Sequence, residues 1–277
     1  CEFMDCFIGG IGGQLTHLLK VFCLALEGAS DALFSATEAS AAALPWTQHD
    51  GAALADLLGT FQRSEPLFRK WQPLWSAGVS EAHTIPPLTA AYLRRLHIAR
   101  QALSNDGGTL LIPLGVKTSD DEGNSIKQFV VLLLEKSAPD TYRLTVINSG
   151  KPGLEHHACS SAAPPKLRYQ AAMCFEGIPA SRAEDDGAWA MLVLATATPD
   201  NNVYWKQPPV LYDKFIPWLI GYPLEHYLAT SVYGAKVEAT KQLCEASQDL
   251  RTPQYGATGE WRALTFSLRF LLRDKGL

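Results

Sequence analysis

Apolar positions in the first hundred residues recur at three- and four-residue intervals, the spacing of one helix face. Leu15, Leu18, Leu19, Phe22 and Leu26 make one such stripe. Leu54, Leu57, Leu58 and Phe61 make a second, with Asp50 placed to cap it. A Trp- and Pro-rich stretch, FRKWQPLWSAG, comes next, in which Trp71 and Trp75 stand four residues apart. That spacing is open to a recognition surface, but aromatics so placed are more often core. Pro86 and Pro87 open a third helix, where their missing N–H groups are not needed, and turn Leu88, Ala91, Tyr92, Leu96, Ala99 and Leu103 inward.

After Asn105-Asp106-Gly107-Gly108, a strong turn signal, the period changes. TLLIPL reads as a strand and 119–124 as a polar, acidic loop. QFVVLLLEK and YRLTVINS are β-rich runs joined by Ser-Ala-Pro-Asp, which predicts an antiparallel hairpin over 126–135 and 142–148. The near-continuous apolar character of QFVVLLL makes it a central strand covered on both faces. The run 160–165 reads as loop, and WAMLVLATAT as another buried strand. The last third returns to helix: an aromatic stretch broken by Pro217 and Pro223, then EATKQLCEASQDL, then WRALTFSLRFLLRDKG with Leu264, Leu268, Leu271 and Leu272 on one side. The fold expected is α+β: a helical N-terminal third (1–105), then an α+β region (106–277) with a largely antiparallel sheet and C-terminal helices packed on it, in one continuous globular unit.

Composition narrows the partners. Of 277 residues 47% are hydrophobic, enough for a substantial core, and 19% are charged, below the usual ~25%. A low charged fraction fits a surface partly covered by a protein partner, and equally a single large core with an uncharged polar surface. Net charge is −4, without the basic stripe that nucleic-acid binding needs. The densest basic cluster, Arg94, Arg95 and Arg100, reads as the solvated face of a helix. Six cysteines (Cys1, Cys6, Cys23, Cys159, Cys174, Cys244) are scattered without a CxxC pair, which points to reduced thiols, an intracellular and most simply cytoplasmic setting, and no metal or other cofactor. Adjacent His156 and His157 point to opposite faces of an extended segment and cannot easily share a metal. Gln14, His17 and Lys20 interrupt the first apolar run, so no membrane span is expected, and there is no basic signal-peptide start. A chain beginning at Cys suggests processing, or a piece of something longer.

Most catalytic motifs fail. There is no GxxxxGK[ST], GxSxG or HExxH, and GGIGG at 9–13 comes after no strand as a dinucleotide loop would. Asp120 and Asp121 lie in a polar loop as solvated charge. Two stretches remain, IKQFVVLLLEKSAPDTYRLTVINSGKPGLEHH and TPQYGATGEWRALTFSLRFLLRDKG. Together they resemble papain-like cysteine hydrolases of the permuted, deubiquitinase type, over about a fifth of the chain. In that pattern a histidine on one strand is the base, an Asn-Ser-Gly ending the paired strand supplies an orienting amide, and a Gly-Thr-Cys turn opens the nucleophile helix. A thiol reacts as thiolate, so such an enzyme needs an imidazole and a helix N-terminus to lower its pKa, and a third group to hold the imidazole.

Carried over by resemblance, Asn148 matches the amide, Gln128 stands at the histidine position and Gly259 at the cysteine position. Glutamine cannot shuttle a proton and glycine offers no nucleophile. The resemblance therefore implies a catalytically inactive domain that binds protein, as a scaffolding part of a larger assembly, with Glu260, Trp261 and His156 as binding candidates. Two alternatives stay open. One is an active cysteine hydrolase using an unrecognised thiol such as Cys159 beside His156 or His157. The other is a structural subunit with no hydrolase ancestry, in which Gln128 is a strand residue, Asn148-Ser149-Gly150 a turn and Gly259 a loop residue before a helix.

Overall fold

Six residues of one segment, Leu57, Phe61, Ser64, Phe68, Trp71 and Trp75, keep three- and four-residue spacing and are all buried. They form the inner stripe of α1 (Gln48–Ser76). Asp50 therefore lies inside this helix rather than capping it, and the Trp- and Pro-rich stretch extends the helix instead of coming after it. The helix continues through Pro66 and Pro73. An interior proline costs ~3 kcal/mol, but each large apolar side chain on the stripe returns ~1.5–3 kcal/mol on burial. Trp71 and Trp75 are core, with their rings stacked at 5.0 Å. α2 (Ile85–Asp106) has its prolines in the first turn as expected.

The computed structural model describes residues 48–76, 84–119, 125–148, 157, 159–160, 168–197, 210–223, 250–251 and 259–274. The side chains at 48–50, 76, 106, 116–119, 125–128, 159–160, 168–170, 197, 250–251 and 259–262 lie outside that description. So do the expected helix over 15–26, Asp120, Asp121, Cys1, Cys6, Cys23, Cys244 and all but the last residue of the expected helix over 238–250, where Leu250 is in a strand instead.

Strands β1 (Gly108–Ser119), β2 (Ser125–Ala138), β3 (Thr141–Asn148) and β6 (Ala172–Pro179) form an antiparallel sheet in the order β1-β2-β3-β6. The β2–β3 hairpin is central, as its apolar runs predict. Two-residue β4 (Cys159–Ser160), three-residue β5 (Arg168–Gln170) and two-residue β7 (Leu250–Arg251) make a second small sheet. The chain is α+β, with helices before, on and after a central antiparallel sheet.

β1 is an edge, and its outward backbone groups are taken by helices. Arg63 Nε donates to Thr109 O at 3.4 Å, Leu111 N–H to Ser64 Oγ at 2.9 Å, and the Tyr92 hydroxyl to Pro113 O at 2.7 Å. Pro113 falls on this outward register, where its missing N–H costs no ladder bond. Covering the edge removes a template for pairing with other chains. Trp75 lies against Gly115, where a Cβ would come within 1.9 Å of its ring.

One expected strand is a helix. WAMLVLATAT lies largely in α4 (Asp186–Ala197). An all-round apolar run has no period that separates strand from helix. Two features decide it: the residues are mostly helix formers, and Asp185 Oδ1 accepts from Gly187 N and Ala188 N at 2.7 and 3.1 Å, an N-cap. Short α3 (Ala180–Ala183) precedes it. A π-helical turn (Val210–Phe215) runs into α5 (Ile216–Ile220), and α6 (Gly259–Asp274) ends the described chain.

Alternation along β3 assigns the two faces of the sheet. Tyr142 bonds Glu184, between α3 and α4, at 2.6 Å. Arg143, one residue on, pairs with Asp274 of α6 and with Glu135. The face carrying Tyr142, Leu144, Val146 and Asn148 therefore meets α2, α4 and the π-helical turn, and the face carrying Arg143, Thr145 and Ile147 meets α6.

Candidate functional site

Asn148 ends β3, and β-strand alternation drives its side chain into the core on the Tyr142 face, where it is fully buried. A buried amide needs partners. Its Nδ2 donates to the Tyr212 hydroxyl at 3.1 Å, and the same hydroxyl shares a hydrogen bond with His157 Nε2 at 2.8 Å. The His157 and Tyr212 rings meet edge-on at 5.6 Å between centroids. Tyr212 is also fully buried and His157 nearly so. The backbone holds the same corner, because Asn148 N donates to Ala171 O at 2.9 Å, at the junction of β5 and β6.

Three distant segments thus meet at one hydroxyl. Tyr212 is presented by the π-helical turn, an uncommon backbone form found disproportionately at functional sites. An amide, a phenol and an imidazole in line form a hydrogen-bond relay that positions groups firmly. Cys174 is the one cysteine whose side chain is described, and it is not part of the relay. Cys174, opposite Thr145 in the β3–β6 pair, lies on the α6 face. Burial pushes its thiol up to about 11, so it is protonated at neutral pH.

The positions singled out in the sequence are spread over the sheet and its helices. Gln128 lies in β2 opposite Val116, two residues beyond Val130, the register partner of Asn148, so the two backbone positions are close at the end of one hairpin. Gly259 is the first residue of α6, and Glu260 and Trp261 are in its first turn. That helix packs on the Arg143 face, whereas the Asn148 amide is on the other. The amide and the Gly259 helix are not brought to one side of the sheet. Cys159 lies in β4 opposite Tyr169, with its side chain outside the description. His156 is outside the described residues. Sequence reasoning missed Tyr212 and considered His157 only as a metal ligand beside His156 or as a partner of Cys159. The available signal was chemical: an amide ending an apolar strand, and a phenol within the mostly apolar run PVLY, each have to find a partner once buried.

A second polar cluster joins α2 to the α3–α4 junction. Arg100, expected on a solvated face, is buried. Its Nη1 donates to Ala183 O at 3.1 Å, its Nη2 bonds Asp186, and its guanidinium lies 5.4 Å from the Trp189 ring centroid. A cation is tolerated there because a carboxylate, a carbonyl and an aromatic face all receive it. His97 Nδ1 reaches the Asp186 carboxylate at 2.7 Å. Glu184 accepts from the hydroxyls of Tyr142 and Ser104 at 2.6 and 2.7 Å. Burial, and then this bond to Glu184, push the Tyr142 phenol up to about 12.

Beside Tyr212 a surface groove of about 510 Å³ is walled by Trp218, Tyr222, Arg182 and Asp213. Among the described residues no group of three His, Cys, Asp or Glu side chains is placed to hold a metal ion. Nor is any helix among them long and apolar enough to cross a membrane. Comparison with known proteins found no matching family model, no matching curated protein and no matching solved structure.

Proposed function

We propose that this chain is a catalytically inactive, cysteine-hydrolase-like domain that works by binding protein, as a scaffolding part of a larger intracellular, cytoplasmic assembly. The observation that carries the reading is what stands at the matching positions. The orienting amide is retained as Asn148, buried with its Nδ2 on Tyr212. With glutamine at 128 and glycine at 259, neither base nor nucleophile stands at the matching positions. Exposed Trp218 and Tyr222 offer aromatic surface of the kind protein interfaces use. Nucleic acid is a poor partner for a chain of net charge −4.

The placement of the Asn148 amide and the Gly259 helix on opposite faces of the sheet instead favours a second reading, a structural subunit without hydrolase ancestry. One experiment addresses both. An electrophilic probe for catalytic thiols is expected to leave the folded protein unlabelled. Rapid stoichiometric labelling at Cys159, abolished by His157→Ala, would overturn the proposal in favour of a live enzyme. In the double variant Gln128→His/Gly259→Cys, any gain of labelling favours decayed hydrolase ancestry, and none favours the structural subunit.

A further inference from the structure

We draw no further inference here: the strongest candidate, the surface groove beside Tyr212 walled by Trp218, Tyr222, Arg182 and Asp213, carries both signs of charge, and nothing in the structure shows what occupies it.

Discussion

At the residue scale, a buried hydroxyl with two polar partners is costly to remove, because the partners stay behind in the core. Tyr212→Phe keeps the ring and deletes the oxygen shared by Asn148 and His157. Loss of about 1–3 kcal/mol is expected, read as a lower urea midpoint at unchanged slope. An unchanged midpoint would mean that the relay is not structural. A second expectation concerns acid. The hydrogen bond from His97, and then the Arg100 charge, hold the Asp186 carboxyl below the usual range; Tyr142 and then Ser104 do the same for Glu184. A depressed folded pKa stabilises fully above the unfolded value of ~4 and is lost as pH falls through the folded value. The stability difference between the wild type and Asp186→Asn should therefore be level near neutrality and shrink below pH ~4. Asp186 is largely exposed, so solvent screening keeps the difference small. A difference that grows on acidification would refute the assignment of Asp186 as the stabilised anion.

Among the elements, α1 and β1 are coupled by close approach. Gly115 leaves room for the Trp75 ring, and Ser64 and Arg63 take the outward backbone groups of the same strand. Gly115→Ala places a methyl 1.9 Å from that ring. Overpacking of this kind costs about 1–3 kcal/mol or more. Denaturant unfolding should show it, and Trp75→Leu in the same chain should recover part of the loss. Additive effects of the two substitutions would contradict the contact. At this scale the sequence was legible for α2, whose prolines sit in the first turn, and for the hairpin of β2 and β3. It was not legible for α4. An unbroken apolar run fits a helix or a strand, and the deciding Asp185 cap lies before the run rather than within it.

Taken as a whole, the molecule is a sheet with helices on both faces and a helix along one edge. Its central strands have neighbours on each side and layers above and below. Amide exchange should be slowest at Val130–Leu134 and Leu144–Ile147, which are fully buried or nearly so. If amides of α2 outlast them, the helices and not the sheet form the last unit to open. The ion pair of Arg143 with Asp274 fastens α6 to its face, and Glu135 of β2 holds the same guanidinium from the neighbouring strand. That same face assignment, set by alternation in β3, is what separates Gly259's helix from the Asn148 amide.

Local pattern alone determined the helical character of 48–76 and 85–106, the β2–β3 hairpin and the final amphipathic helix, because period, turn residues and proline positions act over a few neighbours. Tertiary structure alone decided the site. Asn148 and Tyr212 are 64 residues apart and His157 and Tyr212 are 55, and a hydrogen bond across such a span leaves no period to read. The fate of Arg100 was hidden for the same reason: its carboxylate partner is 86 residues away, so a position that looks solvated in sequence is buried once Asp186 and Trp189 arrive to receive the charge, while Arg94 stays exposed as expected.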